Sequence, residues 1–483
     1  MVLHVKTPKA RRMLTRATLS RSALQRFKAI CLLAPALALP GCSTLFGSGD
    51  NSGAPKVISG FIGGAAVDEP RAALAARDVL ARGGNAADAA VAAALMLSVT
   101  LPSRASLGAS GACLAYVPGQ ASPQAVIFTP TAGATGGDRQ AAVPMLLRGL
   151  FLLNTQYGSQ SFASLAAPAE IAAREGVPAS RALVRDLNDV AAPLLADPAA
   201  AAIFAPQGRL VVEGDTVTQP DLGNLLGQIR RTGVGDFYRG VAAGNLIAAV
   251  RAAGGGSISI DTLRTALPQI VAPITLQQGD VSIAFLPPPA DGGLAAAAAD
   301  LVLQKSPDAY SDAQARALAS AAAWRAGGGD PATLMTNPPA ASPLPALPAS
   351  TSFVVLDNKG GAVACALTMN NLFGTGRVAP GTGIVLAASP AIKPNPLLAA
   401  AIAWNPHLGA FRAAVSGSGQ QAAPVAVASA INAALSGNKN PTIPPPGRAN
   451  VANCDGYLPG DRKSCHLSLE PSSDGLATNS GVE

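Results

Sequence analysis

The sequence predicts a layered α/β fold, on three observations. Hydrophobic residues make up 49% of the 483-residue chain and charged residues 13%, against about 25% charged in an ordinary domain. That surplus of apolar surface favours a large buried core and is unlike a disordered chain. The predicted elements run helices, then strands, then helices in one large unit, which suits stacked layers. Neither a GxGxxG turn after a strand nor a GxxxxGK loop closed by Ser or Thr is present, so the pattern differs from a doubly wound nucleotide fold.

Taken in order, residues 69–80 have helical spacing, with apolar Ala72, Leu74, Val79 and Leu80. Arg82-Gly83-Gly84-Asn85 then breaks the pattern, with Gly suited to a helix C-terminus. Residues 86–99 are apolar all round, which marks a helix buried inside a layered core. Residues 106–117 are small and Gly-rich, then strand-like. Helices are expected over 143–158, 168–175, 221–232 and 240–253. Short alternating runs at 257–260 and 281–286 read as strands. Pro287-Pro288-Pro289 leads through Gly292-Gly293 into an Ala-rich helix at 294–303. Residues 327–348 read as an exposed linker. Two strands, 352–356 and 362–369, are joined by the turn Asn358-Lys359-Gly360-Gly361. A strand at 411–416 leads into a helix at 424–435, and the remainder reads as a Pro-rich, loop-like tail.

The formal charge of +7 belongs to the first 41 residues, which carry eight basic side chains and no acidic one. The rest holds 27 basic against 28 acidic residues, so no basic surface remains for nucleic acid. No apolar stretch approaches the ~18–20 residues of a membrane span. The basic start, the apolar run 29–40 and Gly41-Cys42-Ser43 read as a secretory signal. Leu39-Pro40-Gly41-Cys42 resembles a bacterial lipobox, with Cys42 as the lipidated residue. The expected location is the cell envelope, facing the periplasm, with Ser43 favouring the outer membrane. Residues 43–57 are a Gly/Ser-rich tether.

Cys454 and Cys465 flank a Gly/Pro-containing loop and form a candidate disulfide in an oxidising compartment. Cys113 and Cys365 each lie in an apolar strand and are expected to be buried as small hydrophobes. Histidine occurs only at 4, 407 and 466. A zinc site or a Ser-His-Asp triad therefore has almost nothing to draw on. No metal ligands and no cofactor motif stand out.

Several blocks, in order over residues 64–436, resemble the gamma-glutamyltranspeptidase family. They are Arg82-Gly83-Gly84-Asn85-Ala86-Ala87-Asp88 with the small residues after it; Tyr157-Gly158; Ala172-Ala173-Arg174-Glu175-Gly176; Gly214-Asp215 with Gln219-Pro220-Asp221-Leu222; Phe237-Tyr238-Arg239-Gly240; and Pro287–Pro289 with Gly292-Gly293. The resemblance implies a four-layer αββα sandwich of the N-terminal-nucleophile hydrolase type. It implies a chain that cuts itself, a nucleophile at the new N-terminus, a tightly packed heterodimer, and chemistry on small amides such as glutathione. The α-amine, with a pKa of ~7.7–8.0, can serve as base without histidine.

Aligning Ser350-Thr351-Ser352-Phe353-Val354-Val355-Leu356-Asp357 to the family segment puts Ser350 at the nucleophile, with Thr351 the alternative and a neighbour of bound substrate. By the same resemblance Thr368 hydrogen-bonds the nucleophile, Asn370 helps hold substrate, and Ser418-Gly419 carry the oxyanion donors. The family's substrate-carboxylate Arg is replaced within Phe128-Thr129-Pro130, its Ser pair by Pro396-Leu397, and its amine-binding acid is missing from Ala387-Ala388-Ser389-Pro390. The glycine loop appears as Gly108-Ala109-Ser110-Gly111. Two readings follow: a self-processing amidohydrolase or acyltransferase with altered selectivity, or a catalytically impaired, envelope-anchored binding or scaffolding lipoprotein. The expected organisation is a signal peptide at 1–41, lipidated Cys and tether at 42–63, a large-subunit-like segment at 64–349, a small-subunit-like segment at 350–437 and a loop-rich tail at 438–483.

Overall fold

The strand Thr351–Asp357 is buried along its whole length, so both its faces and both its edges are covered. In the computed structural model, which describes residues 60–438 and 441–479, it pairs antiparallel with Gly63–Val67 on one side and Ala362–Thr368 on the other. The first sheet runs Leu476–Asn479, Gly63–Val67, Thr351–Asp357, Ala362–Thr368, Ser110–Tyr116, Gln124–Phe128, Gln269–Val271. The second runs Cys465–Leu469, Arg448–Leu458, Ala410–Ser418, Ala399–Asn405, Val281–Phe285, Ile274–Gln278. Every pairing in both sheets is antiparallel.

Alternation along each strand sends one set of side chains between the sheets and the other outward. Val354, Leu356, Ala364, Ile402 and Ala414 fill the inter-sheet core. On the outer face of the first sheet, Phe353, Val355 and Val363 pack with the helices Pro70–Ala81 and Ala86–Thr100. On the outer face of the second, Ile283, Phe285 and Val415 pack with the helices Asp291–Lys305 and Ala423–Ser436. The result is the four-layer αββα sandwich. Among the described residues no helix is long and apolar enough to cross a membrane. The signal peptide, Cys42 and nearly all of the tether lie outside the described residues.

The helix Ala86–Thr100 starts on a reciprocal cap. Asp88 N–H donates to Asn85 Oδ1 at 3.0 Å and Asn85 N–H donates to Asp88 Oδ2 at 3.1 Å, satisfying two otherwise orphaned donors. Every residue of this helix is buried, as its unbroken apolar pattern predicts.

Four expectations differ from the structure. The tail contains Arg448–Leu458, Cys465–Leu469 and Leu476–Asn479. These strands are stabilised by distant partners, which local Pro and Gly signals do not reveal. Residues 257–260 do not form a strand. Ser257 makes an isolated bridge to Thr135, and Ser259 caps the helix Ile260–Thr265. The linker 327–348 contains the short helix Pro331–Thr336, capped by Asp330. Cys113 and Cys365 are buried, but they are disulfide-bonded, because the register sets them directly opposite each other on neighbouring strands.

Candidate active site

Register brings the site together. Val67 pairs with Phe353, so Asp68, the next residue, lies beside Ser352 and Thr351. Leu367 pairs with Thr351, so Thr368 lies beside Ser350. From the second sheet, Ser418 pairs with Arg448 and Ser416 with Asn450.

Asp68 is the hub. It is 4% exposed, and its carboxylate accepts from Thr351 Oγ1 and Ser352 N–H at 3.0 Å each, from Ser418 Oγ at 3.3 Å and from Asn450 Nδ2 at 2.9 Å. Asn450 Nδ2 also reaches Ser352 O at 2.8 Å. These bonds tie the strand Thr351–Asp357 to the end of Gly63–Val67 in its own sheet and, in the other sheet, to Ala410–Ser418 and Arg448–Leu458.

Ser350 and Thr351 occupy different environments. The Thr351 hydroxyl is committed to Asp68. Ser350 Oγ is buried without a hydrogen-bond partner, and the residue lines a cavity of about 250 Å³ together with Arg104, Arg185, Ser418, Gly419 and Arg448. The bond preceding it is held from the other side: Thr368 Oγ1 donates to Ala349 O at 2.9 Å and accepts from Asn370 N–H at 2.9 Å. In this uncut chain the Thr368 hydroxyl therefore engages the carbonyl ahead of Ser350, where the resemblance placed it on the nucleophile hydroxyl. Asn370 is fully buried and left-handed at φ 55°, a conformation that Asn tolerates better than most residues. Its Nδ2 donates to Lys393 O at 3.2 Å, and its Oδ1 is buried without a partner.

Gly419 closes the cavity in a left-handed conformation, φ 110°. A Cβ there would meet Pro446 O at 2.3 Å, so only glycine fits. Its N–H has no acceptor among the described residues, and a free backbone donor in the cavity that Ser350 lines is a group able to stabilise negative charge there.

Arg104 makes a two-pronged pair with Asp186, at 2.7 and 2.6 Å, and donates to Ser350 O at 3.3 Å. Burial works to lower its pKa, but the Asp186 bond and the Asp186, Asp68 and Asp189 charges together outweigh it, and the net shift is upward. Arg185 shifts downward, through burial first and then the neighbouring Arg448 and Arg104 charges.

All six positions assigned from the resemblance (Ser350, Thr351, Thr368, Asn370, Ser418, Gly419) gather here. Asp68, Arg104, Asn450 and Arg448 were not singled out in the sequence. They belong to no local pattern and are recruited only by sheet register. Cys454 and Cys465 form a disulfide across neighbouring strands of the second sheet and take no part in the cavity.

The gamma-glutamyltranspeptidase family model matches residues 72–341, more than half of the chain. The chain belongs to the gamma-glutamyltranspeptidase family. Among its relatives, glutathione hydrolase 2 of Arabidopsis thaliana is 30% identical over 253 residues, covering 49% of this chain and 43% of that protein. The glutathione hydrolase proenzyme of Escherichia coli is 27% identical over 370 residues, covering 64% and 63%. The matched stretch thus spans less than half the length of the first and less than two thirds of the second. Cephalosporin acylase from Bacillus halodurans superposes with a TM-score of 0.69 at 19% identity, over 88% of this chain and 96% of that one. Helicobacter pylori gamma-glutamyltranspeptidase does so with 0.52 at 24%, over 58% and 90%. At these identities the likeness is one of fold, the four-layer sandwich described above.

Proposed function

We propose that this family member is a self-processing hydrolase or acyltransferase for gamma-glutamyl or other small amides, with Ser350 as nucleophile. The observation that carries the reading is the unpartnered Ser350 Oγ beside a peptide carbonyl gripped by Thr368. In self-cleavage, Ser350 Oγ bonds to the Ala349 carbonyl carbon as the C–N bond breaks. The hydroxyl proton ends on the Ser350 nitrogen, and an ester remains. Water then hydrolyses the ester, freeing the Ala349 carboxylate and leaving Ser350 with a free hydroxyl and α-amine.

The mature site repeats the chemistry on an external amide. The α-amine, with an ordinary pKa of ~7.7–8.0, takes the hydroxyl proton and returns it to the leaving amine. The Gly419 N–H faces the developing oxyanion. Water or an acceptor amine then releases the acyl group. The two segments remain together as a heterodimer. We further propose anchoring in the bacterial cell envelope through Cys42, on the strength of the leader and the lipobox-like run.

The test is reducing intact mass and N-terminal sequencing of the purified full chain and of Ser350→Ala. A cut in the wild type that leaves a fragment beginning at Ser350, absent from the variant, is the expected result. A fragment beginning at Thr351 moves the nucleophile by one residue. A chain that stays uncut overturns the enzyme reading and leaves a binding or scaffolding lipoprotein.

A further inference from the structure

We propose that a second cavity, in the helical layer on the outer face of the second sheet, binds the protonated amine of a small alkylamine through the carboxamide oxygens of Gln278, Gln304 and Asn432. The inference stands independently of the reading of Ser350.

Three observations support it. The first is the cavity itself. It has a volume of about 270 Å³ and lies between the helices Asp291–Lys305 and Ala423–Ser436 and the end of the strand Ile274–Gln278. It shares no lining residue with the cavity beside Ser350. Gln278, Gln304 and Asn432 all line it, and Leu303, Pro307 and Ala433 give it an apolar wall. Such a mix of apolar wall and a few polar groups suits a small organic ligand.

The second is the direction of the polar groups. Gln304 Nε2 donates to one oxygen of Asp300 at 2.6 Å, and Asn432 Nδ2 donates to the other at 2.5 Å and to Ala428 O at 3.0 Å. An ionised carboxylate only accepts, so it takes the NH2 end of each carboxamide. That fixes which way both side chains face and leaves Gln304 Oε1 and Asn432 Oδ1 with no donor among the described residues. Gln278 Oε1 is buried without a partner. The serine hydroxyls of the wall are already spent, Ser429 on Thr442 O at 2.6 Å and Ser436 on Ala433 O at 3.2 Å. The wall therefore offers acceptors and keeps these donors for itself. A water or a hydroxyl both donates and accepts. An alkylammonium gives three donors and accepts nothing, which matches three oxygens.

The third is charge. Asp300 is fully buried, and no cation opposes it among the described residues. Its carboxylate stands directly behind Gln304 and Asn432 and polarises both amides. Asp308 is the one charged side chain among the lining residues, so the lining carries no cation. A bound ammonium supplies the missing countercharge.

The experiment is a calorimetric titration at pH 8, where Asp300 is ionised. n-Butylammonium chloride is added to the purified full chain carrying Ser350→Ala, a background in which Ser350 cannot turn the amine over. It is taken to about 20 mM, because a ligand of so few atoms binds in the millimolar range. The expected result is saturable binding of one equivalent. Tetramethylammonium has the charge without an N–H, and 1-butanol has the chain without the charge. Each should bind about tenfold or more weakly than n-butylammonium.

Three variants locate the site. Gln278→Met removes the unpartnered oxygen at similar volume. It should weaken binding about tenfold or more while the empty protein melts no lower than its parent. Gln278→Glu keeps an acceptor there and should retain binding. Asp300→Asn both donates and accepts, so one neighbouring carboxamide turns round and presents NH2 to the cavity. It should weaken binding at pH 8 and raise the melting temperature. A folding defect lowers stability and binding together, so these opposed signs belong to a binding role, and Asp300→Asn decides the matter if Gln278→Met fails to fold. Absence of saturable binding overturns the proposal. So does equal binding of tetramethylammonium or butanol, displacement by KCl at equal concentration (an inorganic-cation site), or binding unchanged in Gln278→Met and Asp300→Asn.

Discussion

Asp68 carries more of the site than any other single side chain. Its two oxygens take four donors, from Thr351, Ser352, Ser418 and Asn450. Asp68→Asn keeps the shape but turns an acceptor into an NH2 group that faces donors. We expect a loss of about 1–3 kcal/mol of stability, the cost of an unsatisfied buried group, measured by denaturant unfolding. We also expect slower self-cleavage, because the Ser350–Ser352 segment loses its anchor. A variant that cuts at the wild-type rate and unfolds at the wild-type midpoint would show Asp68 to be a bystander. Asp68 is illegible in the sequence because it has no spacing relation to Ser350, 282 positions away. The sequence block at 82–88 is legible for another reason, since its chemistry is local. Asn85 and Asp88 cap a helix, and Asp88 also accepts from Ser159 and Gln160 N–H, binding the Tyr157-Gly158 block to the same corner. The motif that most clearly marks the family thus does structural work.

At the scale of elements, the helix Asp291–Lys305 holds a buried acid, Asp300, with no ion-pair partner among the described residues. Asp300 accepts from Gln304 Nε2 at 2.6 Å and Asn432 Nδ2 at 2.5 Å, and burial pushes its pKa up to about 7. In the unfolded chain the carboxyl ionises near 3.8. The folded state therefore binds the proton more tightly. This contribution is fully present below about pH 4, declines as pH rises, and is gone above about pH 7. Asp300→Asn removes the ionisation, and both amide partners can flip to suit it. The variant should show a flatter melting temperature between pH 4 and 7 and a gain over wild type at pH 8, at most about 4 kcal/mol for three pK units. Parallel melting curves for the two chains would refute this.

The same scale shows what periodicity can and cannot reveal. Helix 86–99 and the strands at 352–356 and 362–369 are visible because their apolar pattern and their turn are local. The strand Ala399–Asn405 reads Ala-Ala-Ala-Ile-Ala and has helix-forming residues. Its neighbours, Val281–Phe285 and Ala410–Ser418, impose the strand.

At the scale of the whole molecule, the proposed cut divides a chain whose parts are interleaved. In the first sheet, Gly63–Val67 lies between Leu476–Asn479 and Thr351–Asp357, and Ser110–Tyr116 lies beside Ala362–Thr368. Strands from before and after Ser350 are thus interleaved within one hydrogen-bonded layer. The Cys113–Cys365 disulfide crosses between them, while Cys454–Cys465 stays within the downstream segment. A cut before Ser350 in an oxidising compartment therefore leaves two segments joined by one covalent bridge. Without reductant, a denatured sample should run as one species whose mass exceeds the uncut chain by one water. With reductant it should separate into two. The double variant Cys113→Ala, Cys365→Ala should separate without reductant under denaturing conditions. It should still elute as one particle in native size exclusion, because the interleaved strands hold the layers together. Its unfolding midpoint should fall and become dependent on protein concentration, because without the bridge the two segments separate on unfolding. Two fragments from the wild type without reductant would mean that the bridge is absent. Separation of the double variant under native conditions would mean that the bridge, and not the interleaved sheet, holds the halves together.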